Sequence, residues 1–132
     1  MLDILAVFAG GGLGAVARHL LTFVPWKTIG AVEFPLATLV TNVAGSFVIG
    51  LIVGAVATRG MSPRSVLFAK TGICGGFTTF STFALESQGL IDRGAYAAAA
   101  AYMALSFSLG VLACMAGQLV CARLLASSVS AG

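Results

Sequence analysis

Two long apolar stretches without a charged residue constrain this chain more than any other feature of its sequence. One extends from about Pro35 to Ala57, and the other from about Gly94 to Ala122. A helix needs about 20 apolar residues to cross the hydrocarbon core of a bilayer. We therefore expect both stretches to be transmembrane helices.

Two further apolar segments, each interrupted by polar residues, bring the predicted number of crossings to four. The alternating ten-residue pattern of membrane β-strands is not found in any of these segments. The predicted fold is therefore all-α, with residues 1–132 forming one four-helix transmembrane domain. Its predicted helices cover about residues 4–24, 35–57, 65–90 and 94–122.

Composition agrees with a lipid environment and excludes several classes of protein. Charged residues make up 8% of the chain, against about 25% in a soluble domain. Seven basic residues are too few for a nucleic-acid-binding surface. Cys74, Cys114 and Cys121 lack the paired spacing of metal ligands and are expected to be buried free thiols. Since no Ser/His/Asp set or phosphate loop occurs, we expect no enzymatic activity.

The basic residues divide almost evenly between the two sides of such a four-helix protein. Lys and Arg in short loops set the orientation of membrane proteins, and here the two sides differ by one residue. A weakly biased single orientation and a dual topology, with antiparallel pairs of copies, both fit this pattern. One side would carry Arg59, Arg64, Lys70 and Arg123, and the other Arg18, Lys27 and Arg93.

Small and polar residues recur at helical spacing. Three G-x-x-x-G pairs would let helix backbones approach closely, either between subunits or within one. The second segment also carries a polar and small stripe in steps of four residues. Ser46 in this stripe could serve packing alone, whereas the Asn42 amide needs several hydrogen-bond partners inside a membrane. The pairs are Gly10 with Gly14, Gly50 with Gly54 and Gly72 with Gly76, and the stripe is Thr38, Asn42, Ser46, Gly50 and Gly54.

The third segment carries the strongest signal, because its residues would form a poor continuous helix. Glycines 72, 75 and 76 precede four hydroxyl residues, Thr78, Thr79, Ser81 and Thr82. A break at membrane depth exposes carbonyls that can bind a cation and N–H groups that can bind an anion. A glycine-rich kink without further function is the alternative.

Aromatic and acidic residues near this segment refine the prediction. The ring edges of Phe80 and Phe83 are electropositive, so they could meet an anion loosely enough for conduction. Tyr102 and Ser106 lie one turn apart on the fourth segment. Glu86 is the only carboxylate near the hydrophobic zone, and its place near a segment end suits proton coupling poorly.

These motifs resemble those of a known family. Residues 72–83, GICGGFTTFSTF, followed by Glu86, resemble the signature of the fluoride ion channels called Fluc or CrcB. Residues 38–47 resemble the second-helix motif of that family, and residues 10–15 with Arg18 resemble the first. The resemblance covers nearly the whole chain.

The resemblance implies an antiparallel homodimer in a bacterial inner membrane, with two narrow pores for passive and selective fluoride export that relieves fluoride toxicity. A structural sodium ion at the dimer interface would be held by the backbone carbonyls of Gly75 and Thr78. Arg18 would line a vestibule at the mouth of the pore. The implied pore residues are Asn42, Phe80, Phe83, Ser81, Thr82, Tyr102 and Ser106.

One position departs from the family pattern. The step after Ser106 on the fourth helix is often a serine in the family, and here it is Gly110. A water or a backbone group would have to replace the missing hydroxyl at this end of the polar track.

Two other functions compete with the channel. A proton-coupled small multidrug-type exporter also has four helices, but it needs a membrane-embedded acid, typically in its first helix, and Ile4–Ala17 contains none. A non-transporting membrane assembly protein would not explain the hydroxyl-rich third segment.

Overall fold

The computed structural model describes residues 1–25 and 33–129, with side chains to Leu124. Every regular element in these ranges is helical, which confirms the all-α class. Lys27, one of the basic residues in the predicted charge pattern, lies outside the described residues. The elements are α1 (Leu2–Leu21), α2 (Leu36–Arg59), α3 (Pro63–Val66), a π-helix (Leu67–Cys74), α4 (Gly75–Phe77), α5 (Phe80–Asp92) and α6 (Tyr96–Val129).

Three of these helices are long and apolar enough to cross a membrane. They are α1, α2 and the part of α6 from Tyr96 to Leu124. The chain is thus a multi-pass membrane protein. The third predicted segment is divided among α3, the π-helix, α4 and α5, and so it contributes no single long helix.

The helix ends follow local chemistry. Gly60, directly after α2, and Gly94, between α5 and α6, have positive φ angles of 67° and 73°, a conformation that glycine adopts without strain. Ser62 accepts a hydrogen bond from the Ser65 N–H and Pro63 opens the helix, so α3 has a capped start. The connections on either side of the third segment are therefore short.

The long helices pack mainly in two groups, α1 against the π-helix and α4, and α2 along α6. Glycine makes both contacts close. A Cβ on Gly10 would overlap the carbonyl of Phe68, and one on Gly50 would overlap the carbonyl of Cys114. A Cβ on any of the glycines at 14, 54, 72 and 76 would also lie within 3.0 Å of an atom of the same chain. All three G-x-x-x-G pairs therefore pack within the subunit.

Helices α2 and α6 run parallel in a constant register. Gly110 faces Ser46, Cys114 faces Gly50, and the carbonyl of Gln118 faces Gly54. Residue numbers thus rise together, in steps of four, along both helices. The stripe on α2 consequently lies beside a matching row on α6.

The buried core lies where α2, α5 and α6 meet. Leu39, Leu90, Ala99 and Tyr102 are buried together there, with Phe83 packed against them. Many large apolar side chains on α1 and α6 are exposed instead, such as Phe8 and Phe107. These outer faces suit lipid or a second copy of the chain.

Candidate functional site

The helical path of the third segment is interrupted at two residues. Between α4 and α5, Thr78 has φ −78° and ψ 155°, and Thr79 has φ −148° and ψ 113°. Both are extended backbone. The Thr79 hydroxyl accepts a hydrogen bond from the Thr82 N–H at 3.2 Å, which caps the start of α5.

Asn42 of α2 holds this interruption through two hydrogen bonds. Its Nδ2 donates to the Thr79 carbonyl at 3.1 Å, and the Thr79 N–H donates to its Oδ1 at 2.8 Å. In a continuous helix that N–H would bond the carbonyl of Gly75. The carboxamide therefore satisfies backbone groups that the interruption releases, and a second N–H of Nδ2 remains for another acceptor.

A group of three hydroxyls lies at the start of α5. Thr79 Oγ1 donates to Thr82 Oγ1 at 3.0 Å and lies 3.3 Å from Ser81 Oγ. Ser81 is exposed and Thr82 half-buried. The structure thus joins the two predicted track residues through Thr79, which had no assigned role. Its signal in the sequence is a hydroxyl residue at the position of an N-cap.

The predicted aromatic residues form a row from the surface to the core. The ring centroids of Phe80 and Phe83 are 5.6 Å apart, and those of Phe83 and Tyr102 are 5.2 Å apart. Phe80 is 79% exposed, whereas Tyr102 is fully buried. An exposed phenylalanine therefore leads inward to a buried tyrosine.

Glu86 is bound from two other helices, which sequence reasoning did not foresee. The Tyr102 hydroxyl donates to Oε2 at 2.7 Å, and the Thr38 hydroxyl donates to Oε1 at 2.9 Å. The carboxylate consequently links α2, α5 and α6. The only hint in the sequence was a single acid in the third segment, with hydroxyl residues in the second and fourth segments that could bond it.

Ser106 lies one turn beyond Tyr102 on α6, and its environment differs from that of an ordinary packing serine. Its Oγ is buried and has no hydrogen-bond partner within the described part of the chain. Buried hydroxyls nearly always have a partner. The Ser106 hydroxyl is thus available to a water molecule or a ligand.

A cavity of about 460 Å³ opens beside the interruption. Asn42, Gly75, Thr78 and Phe80 all line it, and so does Lys70, which adds a positive charge. The structure therefore brings four predicted site residues to one open space. Ser81, Phe83, Tyr102 and Ser106 are not among its lining residues.

Arg18 lies at a second, smaller cavity on another side of the interruption. Its Nε donates to the Gly76 carbonyl at 3.3 Å. Arg18 lines a space of about 60 Å³ together with Thr38, Thr79 and Thr82. Thr79 lines both cavities, so the interruption separates them.

The Gly75 and Thr78 carbonyls offer oxygen atoms of the kind that hard cations prefer. Because the Thr79 N–H bonds Asn42, the Gly75 carbonyl lacks its usual helical donor. Two carbonyls are too few for a complete coordination shell, so one chain fits a sodium ion only in part. The described residues contain no cluster of three His, Cys, Asp or Glu side chains for another metal.

Comparison with known proteins identifies the family. The model of one family, described as "CrcB-like protein, Camphor Resistance (CrcB)", matches residues 5–118. A relative from Nitrobacter hamburgensis named "Fluoride-specific ion channel FluC 1" is 51% identical over 115 residues, covering 86% of this chain and 90% of the relative. Proteins named "Fluoride-specific ion channel FluC" from Nitrobacter winogradskyi and Methylobacterium nodulans are 50% and 47% identical, covering 86% and 84% of this chain and 90% and 89% of themselves.

These relatives are named as ion channels, which confirms the prediction of a protein without enzymatic activity. The resemblance inferred from the third-helix motif is confirmed as well, because the family match includes residues 72–83. The chain belongs to the CrcB-like family.

Proposed function

We propose that this protein is a passive fluoride channel that lets fluoride leave the cytoplasm of a bacterium through its inner membrane. The relatives' names support fluoride as the ion. The observation that carries the proposal is the interruption at Thr78 and Thr79, which Asn42 clamps beside an open cavity. Relief of fluoride toxicity would be the biological role.

The proposed pathway replaces the water of a small, strongly hydrated anion with donors at close range. The remaining N–H of Asn42 and the ring edges of Phe80 and Phe83 would supply some of these donors. None of these groups carries a full positive charge, so each would bind fluoride weakly enough to release it. The hydroxyls of Ser81, Thr82 and Ser106 would continue the track as donors. Tyr102, whose hydroxyl proton is donated to Glu86, would line the same track, and Arg18 would line the vestibule.

The proposed functional unit is an antiparallel homodimer with two pores. In each copy α3, the π-helix, α4 and α5 would together make the third of four crossings, with the interruption at membrane depth. One copy alone leaves Phe80 and Ser81 exposed and the cavity beside them open. A second copy would enclose both, and the near-equal division of basic residues allows insertion in both orientations.

A structural sodium ion on the two-fold axis would complete this dimer. The carbonyls of Gly75 and Thr78 from each copy would supply four oxygen ligands. Diversion of the Thr79 N–H to Asn42 supports this assignment, since it leaves the Gly75 carbonyl without its helical donor. The ion would add fixed positive charge between the two pores.

Fluoride efflux from proteoliposomes tests the function. Liposomes containing the purified protein and loaded with potassium fluoride are diluted into fluoride-free buffer, and a fluoride electrode follows release. Passive movement of an anion builds up a voltage that stops it, so efflux should require the potassium carrier valinomycin. Phe80→Ile should slow this efflux strongly.

The same assay separates the alternatives. Efflux at equal rate without valinomycin would indicate electroneutral export of fluoride together with a proton, for which Glu86, bonded to Tyr102 and Thr38, is a candidate acid. Absence of efflux would favour a multidrug-type exporter with another substrate or a non-transporting assembly protein. Equal release of chloride would remove the claim of selectivity.

A further inference from the structure

The row of hydroxyls on α6 ends early, and the space beyond it is occupied from α2. Tyr102 and Ser106 are one turn apart, and the next position in the row is Gly110. A Cβ on Gly110 would lie 3.5 Å from the hydroxyl oxygen of Ser46, at ordinary contact distance. The Ser46 hydroxyl thus lies beside the place that a side chain at 110 would take.

The parallel register of α2 and α6 extends this match along the helices. Thr38 and Tyr102 meet at the carboxylate of Glu86, and Ser46 meets Gly110 two turns further on. Helical spacing then sets Asn42 at the level of Ser106. The stripe on α2 and the row on α6 are therefore neighbouring polar rows, and Ser46 is the next member after Asn42.

The Ser46 hydroxyl differs from several other hydroxyls of this chain. Thr41, Thr58 and Ser87 each donate to the carbonyl four residues earlier, at 2.7, 2.8 and 2.7 Å, which is the common arrangement of helical Ser and Thr. Ser46 makes no such bond in the described structure. It lines the 460 Å³ cavity together with Asn42, so its hydroxyl is available to a ligand there.

We propose that Ser46 provides the donor that α6 lacks at Gly110, so that the polar pathway passes from Ser106 to α2 at this level. The ligand would be the conducted anion or a water molecule bound to it. This inference rests on the proposed fluoride channel. In this inference Ser46 positions the anion, in addition to the packing role that small residues usually have.

Four proteins test the inference in the valinomycin-dependent efflux assay: the wild type, Ser46→Ala, Ser46→Ala with Gly110→Ser, and Ser46→Ala with Gly110→Ala. Loss of one hydrogen bond to a charged ligand should slow Ser46→Ala roughly tenfold or more. Gly110→Ser should restore most of the rate, because it returns a hydroxyl to the same space. Gly110→Ala fills that space without a hydroxyl and should not restore it.

The outcomes that overturn the inference are distinct. Ser46→Ala conducting like the wild type would show that its hydroxyl is not needed. Equal rescue by Gly110→Ala, or no rescue by Gly110→Ser, would show that Ser46 acts through packing. Gel-filtration profiles matching the wild type exclude misfolding as the cause of slow efflux. An inactive wild type would instead overturn the proposed function, and this inference with it.

Discussion

At the scale of the residue, the carboxamide of Asn42 has two roles, one in holding the backbone and one in the proposed binding of fluoride. One N–H and the carbonyl oxygen are bound to the Thr79 backbone, so the side chain is fixed before any ion arrives. Such preorganisation lowers the ordering cost of binding. The same bonds make Asn42 a structural residue, and its substitution should affect stability as well as conduction.

Asn42→Ala should therefore lower the thermal stability of the purified protein and abolish most fluoride efflux. It leaves the Thr79 N–H and carbonyl without partners, at a cost of about 1–3 kcal/mol for each buried group. Thr41→Val is the matched control, because the Thr41 hydroxyl bonds only the Ala37 carbonyl of its own helix. Thermal unfolding in detergent checks the first effect. If the two variants unfold at the same temperature, Asn42 does not stabilise the interruption.

Residue pairings were the part of the site that the sequence could not reveal. Asn42 and Thr79 are 37 positions apart, and the sequence around either residue does not predict that the two are paired. Glu86 was judged only for proton coupling, from its position near the end of a segment. That position indicates its depth in the membrane, but it does not indicate which residues surround it. Its bonds to Thr38 and Tyr102 depend on how α2, α5 and α6 pack, which local patterns do not encode.

At the scale of the element, hydropathy and glycine spacing were sufficient for the three long helices. Each depends on local composition, so length and apolar character predicted α1, α2 and α6 to within a few residues at most ends. The extension of α6 to at least Val129, beyond the predicted Ala122, is the largest difference. Glycine spacing indicated close packing, but only the structure shows that this packing is within the subunit.

The same substitution at two glycines of α1 tests that packing. A Cβ on Gly10 would overlap the Phe68 carbonyl and lie 3.0 Å from the Gly72 Cα, whereas one on Gly12 would meet nothing within 4 Å. Gly10→Ala should therefore lower the unfolding temperature in detergent. Gly12→Ala should leave it unchanged or raise it, since alanine favours helix by up to about 1 kcal/mol. Equal effects would contradict the close approach of α1 to the π-helix.

At the scale of the whole molecule, the subunit is open on one side. The cavity of about 460 Å³, the exposed Phe80 and the backbone of Gly75 and Thr78 all lie around the same interruption. A second copy would cover all three at once. The open face is therefore one reason to propose that a second copy completes the pore.

The proposed antiparallel dimer predicts dual insertion, which has a simple test. Reporters that are active only in the cytoplasm or only in the periplasm are fused to the C-terminus. Both fusions should be active in cells expressing the protein, because the basic residues give almost no bias. Activity of one reporter alone would contradict antiparallel pairing of identical chains. Lysines added to the loops on one side should favour a single orientation and abolish the activity of one of the two reporters.

Selective, uncoupled conduction of fluoride is the central claim, and the reversal potential of its current tests it most directly. The protein is reconstituted into planar bilayers with fluoride at unequal concentrations and chloride balancing the total anion on each side. The account predicts a current that reverses at the equilibrium potential of fluoride and follows it as the gradient is changed. A current that reverses at zero voltage under every fluoride gradient, or no current at all, would contradict it.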